Sequence, residues 1–154
     1  METRLRHLAA VPVRSGLPDG VRDPVRPEWF AGRHEAQLGT AVGLAQFGVN
    51  HVVLEPGARS SLRHWHAGED EFVYVLSGAL TLIDGNGEHA MTPGSVAGFV
   101  AGEPNAHHLA NRSAAPASFL VVGTRKPGVE TIHYPDDFAQ PRTVRRDTAG
   151  RREA

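Results

Sequence analysis

Two histidines followed by an acidic run give this chain the residue types of a metal site. His64 and His66 are two positions apart, and side chains two apart on a strand point to the same face. Acids occupy positions 69–71, and two more histidines follow at positions 107 and 108. Imidazoles combined with a carboxylate suit Zn, Fe, Mn or Ni. The pattern favours a divalent metal site over the simpler interpretation, which is two surface histidines on a polar strand.

Two stretches resemble the motifs of the cupin superfamily. They are His64-x-His66-x4-Glu71-x6-Gly78, which is similar to the first cupin motif, and Gly94 through His107-x3-Asn111, which is similar to the second. The chain departs from the usual pattern at Gly57, which lies one residue farther from the first histidine, and at Val100, where the family usually has proline. Extra residues also precede His107. The combination further resembles bacterial single-domain cupins, some of which carry a sugar phosphate isomerase label.

The resemblance implies which residues would bind the metal. Family spacing selects Glu71 from the acidic run and His107 from the later pair. The implied ligands are therefore His64, His66, Glu71 and His107. Glu69 and Asp70 are then expected in the loop, and His108 is expected to face the outer layer. These four ligands would leave open positions on a six-coordinate ion, where substrate, water or O₂ could bind.

Two further residues are candidates for a place beside the metal. Phe72, Tyr74 and Leu76 share one face of a predicted strand, so Tyr74 could offer a phenol to the site, or could be a packed core residue. His51 could line the cavity, or could be a hydrogen-bonded residue of the barrel. No G-x-S-x-G element for a serine nucleophile is present, and Gly85-Asn86-Gly87 is too short for a phosphate loop.

Short apolar strands separated by turns predict an all-β fold. Segments of four to eight residues alternate with Gly, Pro, Asn and Asp turns from position 42 onward, and no long segment has helical periodicity. An antiparallel jelly-roll barrel, the double-stranded β-helix, is the predicted architecture, and cupins belong to it. The predicted organisation is an irregular arm over residues 1–40, a barrel over 41–138 and a disordered Arg-rich tail over 139–154.

The composition restricts the class of protein. The chain has 154 residues, 40% hydrophobic residues, a formal net charge of −1 and no Cys. One domain is expected, without disulfides or thiolate metal sites. The near-neutral charge predicts no nucleic-acid partner, and the absence of a long apolar run predicts no membrane segment. No secretory signal is visible, so a cytoplasmic location is expected.

These features predict a metal-binding cupin that acts on a small molecule. We expect a metalloenzyme of the isomerase, lyase or oxygenase type, with an unknown small polar metabolite as substrate. The alternative is a non-catalytic module that binds or senses a small ligand. Trp29-Phe30 is expected to fix the N-terminal arm to the barrel or to a second subunit. Together with apolar outer strand faces, this aromatic pair predicts a homodimer.

Overall fold

A computed structural model describes residues 6–17, 26–136 and 141–153 of the chain. The strands are β1 (Arg14–Ser15), β2 (Arg33–Gln37), β3 (Phe47–Leu54), β4 (Trp65–His66), β5 (Glu71–Ser77), β6 (Leu80–Asp84), β7 (Gly87–Met91), β8 (Val96–Phe99), β9 (His108–Ala110), β10 (Ala117–Thr124), β11 (Gly128–His133) and β12 (Arg142–Arg146). The helices are a 3₁₀ turn, Pro27–Trp29, and α1, Leu38–Ala41. The predicted all-β class is confirmed. No helix in these ranges is long and apolar enough to cross a bilayer.

Three antiparallel sheets form the barrel. The largest has six strands in the order β1-β2-β3-β10-β5-β8, and two smaller sheets have the orders β7-β6-β9 and β12-β11-β4. In the six-stranded sheet, β10 lies between β3 and β5, although these strands are far apart in the chain. This long-range pairing brings the beginning of β5 beside the end of β10, which is where the site lies.

The core lies between the six-stranded sheet and the β7-β6-β9 sheet. Its cluster joins Leu54, Val75 and Phe119 of the large sheet to Leu82 and Leu109 of the smaller one. Strand side chains alternate between faces, so a change of one residue in register would expose this whole set. Burial of the inner face therefore fixes the register of the strands that carry the site.

Gly78 ends the first motif because a side chain would not fit there. Its φ is +76°, and a Cβ atom at this position would lie 2.7 Å from the Cα of Ala117. Glycine adopts positive φ without the steric cost that other residues incur. The turn after β5 can therefore pack directly against the beginning of β10.

Part of the predicted N-terminal arm is regular strand. β2 pairs with β3 and β1 pairs with β2, so both extend the large sheet. Phe30 is buried, and the guanidinium of Arg59 lies 3.6 Å from the centroid of the Trp29 ring. The aromatic pair thus packs on the chain's own barrel.

The C-terminal segment differs from the disordered tail that its composition predicted. In residues 141–153, β12 pairs with β11 from Arg142 to Arg146. Arg146 is buried and forms a two-pronged ion pair with Glu69, which is also buried. Backbone pairing and a buried ion pair, rather than apolar side chains, hold this segment. The remaining predicted tail residues, 139, 140 and 154, lie outside the described residues.

Candidate metal centre

Backbone pairing brings the two histidine segments together. The N–H of His64 donates to the carbonyl of His107 at 3.2 Å, and the N–H of His107 donates to the carbonyl of His64 at 3.0 Å. His66 belongs to β4 and pairs with Ile132 of β11. Glu71 begins β5, where it pairs with Gly123 of β10. Each of the four predicted ligands is therefore fixed by a strand or bridge rather than by a free loop.

The three imidazoles converge on one carboxylate. Nε2 of His66 lies 3.2 Å from Oε2 of Glu71, and Nε2 of His64 lies 3.7 Å from the same oxygen. Nε2 of His107 lies 3.2 Å from the other oxygen, Oε1. The structure thus brings together all four residues that the resemblance implied, each presenting the atom suited to bind metal.

Carbonyl groups set the orientation of two of the rings. Nδ1–H of His64 donates to the carbonyl of Leu62 at 2.8 Å, and Nδ1–H of His107 donates to the carbonyl of Asn105 at 2.9 Å. A carbonyl can only accept, so each Nδ1 must carry the proton when the ring is neutral. This leaves the lone pair of each Nε2 directed at the centre, the arrangement typical of metal-binding histidines.

Nδ1 of His66 faces a carboxylate, that of Glu130, where the other two histidines have a backbone carbonyl. Oε1 of Glu130 lies 3.7 Å from Nδ1 of His66 and accepts the N–H of Gly68 at 3.0 Å. Glu130 is only 4% exposed. Among the described residues, Nδ1 of His66 and Oε2 of Glu130 are buried atoms without a hydrogen-bond partner. Oε1 of Glu130 faces Nδ1 of His66, and a small approach would give that nitrogen an acceptor.

The charges of the site favour a cation at its centre. Burial alone would lower the pKa of His66, but the nearby carboxylates of Glu130 and Glu71 outweigh it and raise the pKa to about 9. Burial would likewise raise the pKa of Glu71, but the imidazoles of His107, His64 and His66 beside it lower that pKa well below its usual range. Glu71 is therefore held as a carboxylate, the form that binds metal.

The spacing of these atoms fits a divalent ion. Ligand bonds of about 2.0–2.2 Å place neighbouring ligand atoms about 2.8–3.6 Å apart in tetrahedral or octahedral geometry. The separations between the imidazole nitrogens and Glu71 are 3.2, 3.2 and 3.7 Å. His64, His66 and Glu71 also form a compact group in which all ligand atoms lie within 4.8 Å of one another. The donor set thus suits the ions that the sequence predicted.

Comparison with known proteins agrees with this fold. The sequence matches the family model of the cupin domain over residues 50–123. A sugar phosphate isomerase of the cupin superfamily from Silicibacter pomeroyi is 47% identical, with a TM-score of 0.78 and 92% of each chain covered. The chain belongs to the cupin superfamily.

Other solved structures extend the comparison. A protein from Acidithiobacillus ferrooxidans, provisionally called a sugar phosphate isomerase, is 32% identical, with a TM-score of 0.68. The alignment covers 82% of this chain and 76% of the Acidithiobacillus chain. A polyketide cyclase from Streptomyces resistomycificus, 24% identical with a TM-score of 0.58 over 80% of each chain, shares the fold. No curated protein sequence matches significantly.

The candidate metal ligands of this cupin face a cavity of about 680 Å³. Its apolar wall includes Val73, Leu82 and Phe119, which also belong to the core. The ring of Phe99 stacks on His107 with centroids 3.4 Å apart, and the ring of Tyr134 lies 5.8 Å from that of His64. Aromatic rings therefore cover the two histidines and reduce their contact with water.

The structure corrects the placement of Tyr74 and His51. On β5, Glu71 and Val73 line the cavity, so Tyr74 points to the opposite face, where it is 39% exposed. It is neither beside the metal ligands nor in the core. On β3, Val52 lines the cavity, so alternation also turns His51 to the outer side. The sequence showed which residues share a face but not which face is inward.

His108 does not face the outer layer as predicted. It is 8% exposed and lines the cavity, and neither ring nitrogen has a hydrogen-bond partner among the described residues. Burial, together with nearby Arg59, His64 and Arg63, lowers its pKa to about 4. All three residues of β9 are buried, so this strand has no solvent-facing side. The expected inside–outside alternation therefore fails there.

The residues behind the ligands were not predicted as part of the site. Glu69 lies in the loop, as expected, but it is buried. Its carboxylate accepts hydrogen bonds from Nε and Nη2 of Arg146, each at 2.5 Å. Ligand-forming atoms of His66, Glu69 and Glu130 cluster within 4.8 Å. Glu130 and Arg146 lie outside the residues matched by the cupin model, and no short motif marks either one.

Proposed function

We propose that this cupin is a metal-dependent enzyme of the isomerase type that acts on a small polar metabolite. The observation that carries the proposal is the convergence of three imidazoles on the carboxylate of Glu71 in the wall of a cavity of about 680 Å³. The two relatives named as sugar phosphate isomerases, one of them provisionally, support the choice of isomerase over lyase or oxygenase.

His64, His66, Glu71 and His107 would hold the ion. A divalent metal in this position would act as a Lewis acid that polarises an oxygen of the substrate. Phe99 stacks on His107 and excludes water from that side, which strengthens electrostatic interactions within the site. The protein would thus orient the substrate in an environment of low polarity next to the ligands.

Unsatisfied polar atoms in the cavity support a hydroxyl-bearing substrate. Oδ1 of Asn50 and both ring nitrogens of His108 are buried without partners among the described residues, and both side chains line the cavity. A buried polar atom without a partner costs free energy. Hydroxyl groups of a substrate would supply the missing donors and acceptors. We therefore propose a polyhydroxylated metabolite rather than an apolar one.

Deuterium exchange tests the proposal directly. The protein, loaded with Mn, Zn, Ni or Fe(II), would be incubated in D₂O with aldoses, ketoses and their phosphates, followed by NMR. Isomerase chemistry predicts deuterium at the carbon beside the carbonyl with the metal-loaded protein and none with His66→Ala. The sensor module predicts saturable binding of one of these compounds without exchange or turnover, and that result would overturn the enzyme assignment.

A further inference from the structure

Arg125 is a cation in the cavity wall without a carboxylate partner. It follows β10 and lines the same cavity as His66 and Glu71. Its Nη1–H donates to Oγ1 of Thr40 at 2.8 Å. Within residues 6–17, 26–136 and 141–153, no Asp or Glu oxygen lies within ion-pair distance of this guanidinium. Other arginines of the cavity wall are paired, since Arg146 binds Glu69 and Arg33 binds Glu35.

Two glycines make room for Arg125. A Cβ atom at Gly48 would lie 2.9 Å from both Nε and Nη2 of Arg125, so the guanidinium lies directly on the backbone of β3. A Cβ atom at Gly150 would lie 2.3 Å from the carbonyl oxygen of Arg125. The C-terminal segment thus packs against the main chain of Arg125 while β3 supports its side chain. The guanidinium is held in place before any ligand binds.

The surroundings leave the charge of Arg125 unbalanced. Burial, then the charges of Arg146 and Arg152, lower the pKa of Arg125, whereas the more weakly acting Glu69 and Glu35 raise it. Both of these carboxylates are already bound to other arginines. A half-buried cation without a counter-charge is unfavourable, so an anion at this position would be stabilised.

We propose that Arg125 and Thr40 form an anion subsite that binds the phosphate group of a phosphorylated substrate. A guanidinium presents a planar fork of N–H donors that binds phosphate oxygens in pairs. Because Oγ1 of Thr40 accepts from Arg125, its own hydroxyl proton remains available as a third donor. Three donors match the three oxygens of a phosphate group better than the two of a carboxylate. This inference rests on the proposed function, because it places a second end of the same substrate in the same cavity.

Titration with inorganic phosphate tests the subsite independently of the metal. The full chain would be treated with a chelator and titrated at constant ionic strength. Calorimetry would measure the phosphate affinity of every variant, and NMR would follow the Nε–H resonance of Arg125 in the wild type. Phosphate should shift this resonance saturably. Arg125→Gln should weaken phosphate binding about tenfold or more, the loss expected for a hydrogen bond to a charged group. Arg125→Lys keeps the charge but loses the planar set of guanidinium donors, so it should bind phosphate with intermediate affinity.

Matched controls make the outcome decisive. Lys126→Gln removes the same charge from the adjacent exposed residue and should leave phosphate affinity unchanged. Equal phosphate affinity in Arg125→Gln and the wild type, or acetate binding as tightly as phosphate, would overturn the inference. If Arg125→Gln fails to fold, the resonance of Arg125 in the wild type and the phosphate affinity of Arg125→Lys still decide. Metal content is measured separately, so loss of phosphate binding with normal metal content rejects only the subsite.

Discussion

Glu130 is the residue outside the ligand set on which metal affinity should depend most directly. Its Oε1 lies 3.7 Å from Nδ1 of His66, and both the Glu130 side chain and this nitrogen atom are buried. Glu130→Gln keeps the size of the side chain but removes the charge that favours a proton on Nδ1. We expect metal affinity to fall about 10–100-fold, the usual effect of losing such a partner. Competition with a chelating dye would measure it.

The matched control for that variant is Glu88→Gln. Glu88 is exposed and pairs with Arg112 on the surface, so the same chemical change there should leave metal affinity unchanged. Equal affinity in Glu130→Gln and wild type would show that Glu130 does not orient His66.

His108 should make the metal-free protein sensitive to acid. Its pKa is lowered from 6.5 to about 4 in the folded state, mainly by burial. As pH falls through 6.5, the unfolded chain takes up a proton on this residue that the folded chain does not. The resulting loss of stability is complete below pH 4 and amounts to about 3 kcal/mol. Other titrating groups are common to the wild type and His108→Leu, so their difference isolates this effect.

Urea unfolding between pH 7 and pH 4, with a chelator present, checks this prediction. The wild type should lose more stability than His108→Leu over that range. Parallel pH profiles for the two proteins would show that His108 is solvated or paired in the folded state.

Spacing in the sequence was enough to find the candidate ligands but not the residues that support them. His64, His66, Glu71 and His107 carry the motif pattern, and the structure brings them together. Glu130 and Arg146 reach the site only because β11 and β12 fold back across the barrel, and nothing local in the sequence encodes that contact. Tyr74 was misplaced because alternation alone does not say which face of β5 is inward.

At the scale of elements, β12 should be an integral part of the fold. It pairs with β11, and its Arg146 is bound to the buried Glu69. Removing one partner of a buried ion pair leaves an uncompensated charge and costs about 3–5 kcal/mol. We therefore expect Arg146→Met to lower the free energy of unfolding by about that amount, as measured by urea denaturation.

A double variant separates the ion pair from other effects of the substitution. Glu69→Gln combined with Arg146→Met removes both charges and should be more stable than Arg146→Met alone. If Arg146→Met is as stable as the wild type, β12 does not depend on this pair. The composition of this segment predicted disorder because it has no large apolar residue beyond Val144. A strand held by backbone bonds and one ion pair leaves almost no hydrophobic signal.

For the whole molecule, the homodimer remains a prediction, and the structure suggests its interface. The outer face of β5 and β8 exposes apolar side chains, Phe72, Tyr74, Leu76 and Val96. A stable interface buries about 800 Å² on each partner and commonly has an apolar centre. We expect light scattering to give the mass of two chains, and Tyr74→Glu with Leu76→Glu to give the mass of one. A wild-type protein that is monomeric at micromolar concentration would contradict the prediction.

The metal content of the purified protein tests the central claim most directly. After incubation with Zn, Mn, Ni or Fe(II) and removal of excess ion, elemental analysis should find about one ion per chain for one of these metals. His64→Ala, His66→Ala and His107→Ala should each lose most of it, whereas His89→Ala, a change at an exposed histidine, should retain it. A wild-type protein that holds less than about a tenth of an equivalent of every ion would contradict the account.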